Sequence, residues 1–488
     1  MKAQRTGIVL HPDPKRVLFR PFFPGNPDRA VKVIARVMAL GEDECHRELL
    51  QVLRDFEGRH MRLVHYFQRR FEENKVHLAT GLPVSRERQL LIGAYFTQEY
   101  SLESAALFNP SMVWHPDQSR LDAGERRFVL SLRATGEGHI SSIVFRSGVI
   151  DAANQIRLDP VSRFVTSSET KLDRSFEKVL FERKLHEIGL SGTFTDAVLA
   201  MLDERFPFSA LRAAVQDARR NVRLPLSDID NVAGGILTLA ESNYEVQFLE
   251  GQKLSERIIF PSGPNESRGI EDARFVQFTE KDGTVTYYAT YTAYNGRVFI
   301  PQLLETRDFE RFKISTLNGP AVQNKGLALF PRKIKGLYAC VSRQDNENVF
   351  LMFSDNIHFW YTKQLLLKPA FPWEFVQLGN CGSPIETKAG WLVLSHGVGP
   401  MRKYSIGAFL LDRDDPSKLI GRTREPLLTP DENEREGYVP NVVYSCGGQV
   451  HGQTLVIPYA MADYASSIAL VDLPALLAKL TGPGRVSG

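Results

Sequence analysis

The sequence has few cysteines and no long apolar run. Its cysteines are Cys45, Cys340, Cys381 and Cys446, and they form neither a C-x-x-C pair nor a metal-ligand spacing. This scatter argues against a disulfide framework or a structural zinc site, and it is typical of reduced thiols in a cytosolic protein. No apolar stretch approaches the length of a membrane span, and a polar segment starting at His11 interrupts the apolar N-terminus. We therefore expect a cytoplasmic protein without a membrane anchor.

The chain also has almost no excess charge. Sixty basic residues against fifty-seven acidic residues leave a formal net charge of +3. No field of one sign extends over the sequence, so we expect no nucleic-acid partner and no anionic membrane surface. The histidines form no ligand cluster, so we expect no metal cofactor. A small anionic ligand held by a few local residues remains compatible with this composition.

The sequence does contain enough hydrophobic residues for a large core. It also shows two kinds of periodicity, one typical of helices and one of strands. Hydrophobic residues make up 43% of the 488 residues. Residues 41–74 and about 171–220 have apolar residues at helical spacing. A helix in the second block can start after Ser168, because Glu169 and Asp173 suit its first turns. Elsewhere, and in most of the second half, the pattern is one of short strands with turn residues between them.

Five strand openings resemble one another. Each has a polar start followed by an apolar strand, and they lie at residues 108–113, 269–275, 324–330, 380–385 and 439–444. The last four recur at roughly the spacing of propeller blades, about fifty to sixty residues. We therefore predict a mainly β fold, a five-bladed β-propeller with helical additions. The alternative is a β-sandwich with irregular loops.

The predicted domain boundaries follow from the positions of these patterns. Residues 1–100 form a helical N-terminal region, and residues 101–165 form the first blade. Residues 166–240 form a helical insertion between blades 1 and 2, and residues 241–482 form the remaining blades. The additional helices are also candidate contacts in a homo-oligomer.

The second strand opening carries the most informative residues, Asp272 and Arg274. Residues two apart share one face of an extended strand, so an acid and an anion-binding guanidinium are expected side by side. That pairing suits chemistry on a polar, anionic substrate. The simpler alternative is a surface carboxylate that pairs with Arg274 and has no catalytic role.

At these residues the chain resembles glycoside hydrolase family 130, the β-mannoside phosphorylases and related β-mannosidases. The segment from Glu271 to Arg274 is similar to the family's Glu-Asp-Pro-Arg motif, with Ala273 where the family usually has proline. The resemblance covers about residues 108–160 and 243–480, and the helical parts lie outside the common core. Members are five-bladed propellers, and the alanine marks a divergent branch.

The resemblance implies inverting phosphorolysis of a terminal β-mannoside, which gives α-mannose 1-phosphate and a shortened sugar. Asp272 would be the general acid, and inorganic phosphate would be the co-substrate, with no cofactor. Because phosphate is itself a nucleophile, one essential carboxylate suffices, whereas an inverting hydrolase needs a second one to activate water. The residues that match the family's phosphate site are Arg274, Lys325, Arg343 and His396, and the hydroxyl of Tyr464 is a further candidate.

By analogy with the family's mannose site, the sugar contacts would be Asn109, Arg133 and Asp463. Candidate rings for stacking on a pyranose are Tyr294, Trp373 and Tyr438. Two other functions stay open: a β-mannosidase that uses water, and a non-catalytic propeller that binds carbohydrate. Linkage and acceptor sugar cannot be read from the sequence.

Overall fold

The chain folds mainly as β-sheet, which confirms the predicted class. The structure is a computed structural model that describes residues 1–78, 81, 83–167, 169–171, 175–297, 299–483 and 486. Its strands form five large sheets and two small two-stranded ones. No helix in these ranges combines the length and the apolar character needed to cross a membrane.

Sheets 1 and 2 contain the first two strand openings. In order across sheet 1, the strands are Ala106–Trp114, Arg126–Thr135, Ser141–Ile150, Arg257–Ile259 and Thr166–Ser167, with Ile156–Leu158 also paired to Ser141–Ile150. Across sheet 2 they are Ile270–Thr279, Val285–Tyr294, Phe299–Thr306, Arg311–Thr316, Tyr244–Gln247 and Glu169–Lys171. Neighbouring long strands are antiparallel and joined by tight turns, as the turn residues predict.

Sheets 3, 4 and 5 follow along the chain. Sheet 3 consists of Ala328–Leu329, Tyr338–Ser342, Val349–Ser354 and Gln364–Leu367. Sheet 4 consists of Gln377–Asn380, Gly390–Val398, Tyr404–Leu411 and Leu419–Arg422, with Ile385–Thr387 also paired to Gly390–Val398. Sheet 5 consists of Val443–Tyr444, Thr454–Met461, Ala465–Asp472 and Gln4–Leu10, with Gln449–His451 also paired to Thr454–Met461.

Each sheet packs against the next, and the fifth packs against the first. Separate hydrophobic clusters fill these interfaces. One representative pair from each is Phe145 with Phe275, Leu303 with Leu329, Leu351 with Trp391, Leu410 with Ile457, and Ile468 with Leu130. Burial of such side chains stabilises the fold by roughly 1.5–3 kcal/mol each. The alternation of apolar and polar residues along the strands thus produces sheet-to-sheet interfaces rather than one central core.

The helices lie in two groups, with one more at the C-terminus. They are α1 (Pro27–Met38), α2 (Glu42–Phe56), α3 (Leu63–Asn74), α4 (Arg86–Tyr95), α5 (Lys178–Glu187), α6 (Thr193–Ala200), α7 (Phe208–Asn221), α8 (Leu226–Glu241) and α9 (Leu473–Thr481). Asn26, Ser85 and Asp472 cap α1, α4 and α9 by accepting a hydrogen bond from a backbone N–H of the first turn. Helices α5 to α8 share a hydrophobic cluster of their own, centred on residues such as Leu211 and Ile236.

The predicted domain boundaries need three corrections. Gln4–Leu10, inside the region predicted to be helical, is a strand that pairs with Ala465–Asp472. Val17–Pro21 pairs with Thr97–Ser101 in a small sheet. Arg257–Ile259, assigned to the later blades, belongs to sheet 1. These strands pair with partners that are distant in the sequence. The sequence around each strand does not indicate its partner, because the pairing register depends on both strands.

The predicted start of the second helical block is also wrong. Glu169–Lys171 is a strand of sheet 2, and α5 begins only at Lys178. Ser168 and Asp173, on which the prediction relied, lie outside the described residues. Pairing with Tyr244–Gln247 competes with the helix here and prevails over the weak capping pattern.

Candidate active site

One cavity of about 220 Å³ is lined by residues from the strands of sheets 1, 2, 4 and 5 and from loops, among them the loops that flank the strands of sheet 3. Its lining residues are Asn109, Arg133, Glu271, Asp272, Lys325, Arg343, Asn346, Gln377, Arg402, Tyr404, Val439, Val442, Tyr444 and Asp463. Six of the nine residues predicted from the sequence are therefore brought together here. The other three are Arg274, His396 and Tyr464, whose positions are described below.

The backbone at Asp272 departs from the simple strand expected from the sequence. Asp272 has a φ of 55°, in the left-handed region, and the pairing register shifts between Glu271 and Arg274. The first strand of sheet 1 has a matching irregularity, because Asn109 has a φ of 50° and lies at a register shift. Such bulges redirect side chains beside functional sites, and a non-glycine residue in this conformation is unfavourable. Both irregularities place a polar side chain on the cavity wall.

Asp272 is buried among cationic and amide groups. Its Oδ1 accepts a hydrogen bond of 2.7 Å from Nδ2 of Asn109 and lies 3.8 Å from Nη1 of Arg133. Its Oδ2 lies 3.9 Å from Nη2 of Arg274. Burial alone would raise the pKa of Asp272, but Arg133, Arg274, Lys325 and the Asn109 hydrogen bond together lower it below its usual value. In the unliganded protein this carboxyl is therefore ionised at neutral pH.

Glu271 connects two of the cationic residues that lower the pKa of Asp272. Its Oε1 accepts a hydrogen bond of 2.8 Å from Nη2 of Arg133, and its Oε2 lies 3.6 Å from Nζ of Lys325. The ammonium of Lys325 also lies 5.0 Å from the centre of the Phe299 ring. Glu271 was not among the predicted site residues, although it precedes Asp272 in the same segment.

Two buried arginines meet at the hydroxyl of Tyr444. Nη2 of Arg274 donates to this oxygen at 2.8 Å, and Nη2 of Arg343 lies 3.5 Å from it. Nε of Arg274 donates to the carbonyl of Cys381 at 2.9 Å, which fixes the plane of the guanidinium. Burial raises the pKa of Tyr444, so its phenol stays protonated. Since its oxygen accepts from both arginines, its own proton is available to a ligand.

His396 lies behind these groups rather than on the cavity wall. It is fully buried, and its ring centre is 4.9 Å from that of Tyr444. Burial lowers the pKa of His396 well below its usual value, and the charges of Arg343 and Arg274 lower it further. As a neutral imidazole, His396 adds no positive charge to the cavity, but it still has one N–H to donate.

Two glycines leave the space that Arg343 and His396 occupy. A Cβ on Gly379 would lie 2.3 Å from Cε1 of His396 and 2.7 Å from Cδ of Arg343. A Cβ on Gly326 would lie 2.4 Å from Cγ of Arg343, and the φ of 94° at Gly326 is itself unfavourable for other residues. Gly326, which lies in the third strand opening, thus leaves the space that the Arg343 side chain occupies.

Asp463 occupies a tight turn between two strands of sheet 5. Ala462 and Asp463 have φ values of 49° and 51°, and the turn is held by hydrogen bonds from Val439 N to Ala462 O and from Ala462 N to Val442 O. Burial and, secondarily, the charge of Asp272 raise the pKa of Asp463 to about 6. The cavity therefore holds two carboxyls whose pKa values move in opposite directions.

The structure does not bring Tyr464 to the cavity wall. Its side chain is on the surface, 42% exposed, with its ring 6.5 Å from that of His11. The tyrosine beside the arginines is Tyr444, which lies in the fifth strand opening and could have been chosen on that ground. The placement of Tyr464 among the phosphate contacts is thus not supported by its position.

The candidate stacking rings have different environments. Trp373 packs over the backbone of Gly397 and Gly407 and donates to the carbonyl of Arg424, so it has a structural role. Tyr294 stacks on Phe299 with ring centres 4.6 Å apart. Tyr438 is 62% exposed and adjoins the lining residue Val439.

Sequence reasoning missed a further group of lining residues, Asn346, Gln377, Arg402 and Tyr404. Arg402 lies in a short turn, Pro400–Arg402, in which Met401 and Arg402 both have positive φ values. Within the described part of the chain, the Arg402 side chain has no hydrogen-bond or ion-pair partner. It lies outside the five strand openings, so the repeat does not indicate it. Within the same ranges, no cluster of three acidic, histidine or cysteine side chains has the arrangement of a metal site.

Comparison with known proteins identifies the family of the chain. The model of a glycoside hydrolase family, Glyco_hydro_130, described as beta-1,4-mannooligosaccharide phosphorylase, matches residues 223–480. The chain belongs to glycoside hydrolase family 130. The match begins just before α8 and covers sheets 2 to 5 apart from Glu169–Lys171 of sheet 2 and Gln4–Leu10 of sheet 5.

Curated relatives match somewhat less than half of this chain. A 1,2-beta-oligomannan phosphorylase of Thermoanaerobacter sp. (strain X514) is 36% identical over 229 residues, 45% of this chain and 74% of that protein. A beta-1,2-mannobiose phosphorylase of Listeria innocua serovar 6a is 32% identical over 223 residues, 44% of this chain and 60% of that protein. The solved structure of a Listeria innocua beta-1,2-mannobiose phosphorylase with beta-1,2-mannobiose covers 77% of this chain and 92% of that one, at 21% identity and a TM-score of 0.46.

Proposed function

We propose that the chain is an inverting phosphorylase that cleaves terminal β-mannosidic bonds with inorganic phosphate and releases α-mannose 1-phosphate. The observation that carries the proposal is the position of Asp272 beside a group of cationic side chains in one cavity. The family match and the names of the relatives support phosphorolysis.

The cationic part of the cavity is suited to hold phosphate. Arg343 and Lys325 line it, and Arg274 stands behind them, with Tyr444 between the two arginines. Nε of Arg343 is buried and lacks a hydrogen-bond partner within the described residues. Guanidinium groups bind phosphate oxygens through paired N–H donors. These charge-assisted hydrogen bonds are stronger than hydrogen bonds between neutral groups. We assign Arg274, Lys325, Arg343 and Tyr444 to the phosphate, with His396 as a neutral support.

Phosphate binding also prepares Asp272 to act as the acid. Without phosphate, Arg133, Arg274 and Lys325 lower the pKa of its carboxyl. A bound dianion would offset these charges, so the pKa of Asp272 rises and the carboxyl can take up a proton. The proton then passes to the glycosidic oxygen, directly or through a sugar hydroxyl, while a phosphate oxygen attacks the anomeric carbon from the opposite face. Asn109, Arg133 and Asp463 would hold the mannose.

A hydrolase would require a second carboxylate to activate water. Glu271 is in the cavity, but its two carboxylate oxygens pair with Arg133 and Lys325 and are therefore already engaged. We therefore favour phosphate over water as the nucleophile. Incubation of a β-mannobiose with and without phosphate separates the two: release of mannose at the same rate without phosphate would reject the phosphorylase.

The assigned acid is tested by replacing Asp272 with Asn. We expect kcat to fall by about 10²–10⁴-fold, while binding of β-mannobiose persists. The control is Asp414→Asn, because Asp414 is exposed in a turn of sheet 4. Unchanged turnover of D272N would reject Asp272 as the acid, whereas a wild type that binds β-mannobiose without cleaving it would favour a carbohydrate-binding function.

The bond that is cleaved requires a separate experiment. The family model is named for β-1,4 linkages and the two relatives for β-1,2 linkages. A panel of acceptors, among them mannose, glucose and N-acetylglucosamine, incubated with α-mannose 1-phosphate in the synthetic direction would identify the acceptor and the linkage.

We also propose that the five sheets are the blades of a propeller, with α5 to α8 inserted between the first and second. The closed series of sheet contacts and the position of the cavity among all five sheets support this. The four buried free thiols support a reducing compartment, the cytoplasm. Association of copies through the additional helices stays a prediction, which sedimentation velocity would test.

A further inference from the structure

Two exposed tyrosines, each next in the sequence to a residue that lines the cavity, have no role in the chemistry above. Tyr438 is 62% exposed and Tyr464 is 42% exposed. Each adjoins a lining residue, since Val439 and Asp463 are part of the cavity wall. Large exposed rings next to a site are unusual enough to suggest a binding surface.

The two tyrosines belong to segments that are fixed against each other. The N–H of Val439 donates to the carbonyl of Ala462 at 2.9 Å. A Cβ on Gly437 would lie only 3.1 Å from Cβ of Tyr464, so the chain beside Tyr438 passes directly over the base of Tyr464. The two rings therefore have neighbouring and well-defined attachment points.

Each tyrosine ring is accompanied by a histidine from another part of the chain. The rings of His139 and Tyr438 are 5.6 Å apart at 33°, and those of His11 and Tyr464 are 6.5 Å apart at 58°. His139 lies in the turn that follows the strand of Arg133, and His11 follows the N-terminal strand of sheet 5. These four side chains, which we name the aromatic rim, widen the apolar surface outside the cavity.

The size of the cavity explains why such a rim is useful. A volume of about 220 Å³ suits one sugar ring beside a phosphate but not a longer chain. Further sugar units must therefore lie outside the cavity, and pyranose rings bind the faces of aromatic side chains through their C–H surfaces. We propose that Tyr438 and Tyr464 form a platform for the sugars that follow the cleaved bond, so that the enzyme prefers oligosaccharides longer than a disaccharide. This inference rests on the proposed phosphorolysis.

Chain-length preference tests the platform. The measurement is kcat/KM for phosphorolysis of a β-mannotriose and of the matching β-mannobiose, with the wild type, Y438A, Y464A and the double variant. We expect the wild type to prefer the triose, each single variant to lose about three- to tenfold on the triose, and the double variant to lose the preference. Y438F and Y464F should keep it, because stacking does not need the hydroxyl. The control is Tyr95→Ala, since Tyr95 is 49% exposed at the end of α4.

The other outcomes also decide the question. A preference that is absent in the wild type, or unchanged in the double variant, would overturn the platform while leaving phosphorolysis intact. If Y464A instead raises the KM for phosphate and keeps the chain-length preference, Tyr464 belongs to the phosphate site and not to the platform. A wild type without phosphate-dependent cleavage would overturn the proposed function itself, together with this inference.

Discussion

Asn109 and Asp272 come from the first strands of two different sheets, and both have left-handed backbone conformations. They are joined by a hydrogen bond of 2.7 Å from Nδ2 of Asn109 to Oδ1 of Asp272. The bond orients the carboxyl and is one of the interactions that keep its pKa low. It also links sheets 1 and 2 at the cavity, so the geometry of the acid depends on the packing of the two sheets.

Replacement of Asn109 by Ala should therefore lower kcat by about tenfold, because Asp272 loses the group that orients it. The KM for phosphate should change little, since we assign Asn109 to the sugar and not to the phosphate. A matched control is Asn154→Ala, because Asn154 also has a positive φ and bonds one side chain, His451, away from the cavity. Equal loss of activity in the two variants would show that backbone strain, not the bond to Asp272, is responsible.

A methyl group at Gly326 should damage phosphate binding through Arg343. Its Cβ would lie 2.4 Å from Cγ and 2.6 Å from Nε of Arg343, so this side chain must move. We expect G326A to raise the KM for phosphate at least tenfold. Gly336→Ala is the control, because Gly336 has a φ of 89° but nothing within 4 Å of the added Cβ. Initial rates over a phosphate series would distinguish the clash from the backbone effect, which both variants share.

Removal of the Tyr444 hydroxyl should also weaken phosphate binding, because both Arg274 and Arg343 lose a hydrogen-bond acceptor. In Y444F two buried arginines lose an acceptor, and an unpaired buried donor costs about 1–3 kcal/mol. We expect a lower free energy of unfolding in urea and a raised KM for phosphate. Tyr287→Phe serves as the control, since Tyr287 is buried in the cluster between sheets 1 and 2. A variant with the wild-type KM for phosphate would exclude a role of this hydroxyl in the site.

The residues that could be predicted from the sequence are those within the repeated strand openings. Asn109, Asp272 and Lys325 each lie in one, and the packing of successive sheets brings them to one cavity. The bulges at Asn109 and Asp272 were not predictable, because a register shift depends on the partner strand. Arg402 lies in an irregular turn outside the repeat, and the pKa of His396 depends on how deeply the fold buries it. Periodicity thus indicates which segments meet, while burial and loop conformation decide what each side chain does there.

The N-terminal strand, also missed from the sequence, should contribute measurably to stability. Arg5 holds the carboxylate of Glu434 with Nε at 2.8 Å and Nη2 at 2.5 Å, and the hydroxyl of Tyr459 donates to the same carboxylate at 2.6 Å. Since Glu434 is buried and Arg5 is one-third exposed, we expect R5M to lower the free energy of unfolding by about 1–3 kcal/mol. Lys2→Met, at an exposed residue of the same segment, should have little effect in the same urea titration. Equal stability of R5M and the wild type would show that the strand is held by its backbone pairing alone.

The raised pKa of Asp463 makes stability depend on pH in a defined direction. The folded-state pKa is about 6, against an ordinary value of 3.8, so between these values the folded protein binds more protons than the unfolded chain. Stability contributed by this group is therefore complete below about pH 4 and is lost as the pH rises towards 6. The difference corresponds to about 3 kcal/mol at most. D463N cannot ionise, so its free energy of unfolding should exceed that of the wild type above pH 6 and approach it near pH 4, as measured by urea denaturation across this range. An equal difference at both ends of the range would mean that the effect of the substitution is steric and that Asp463 does not titrate in this window.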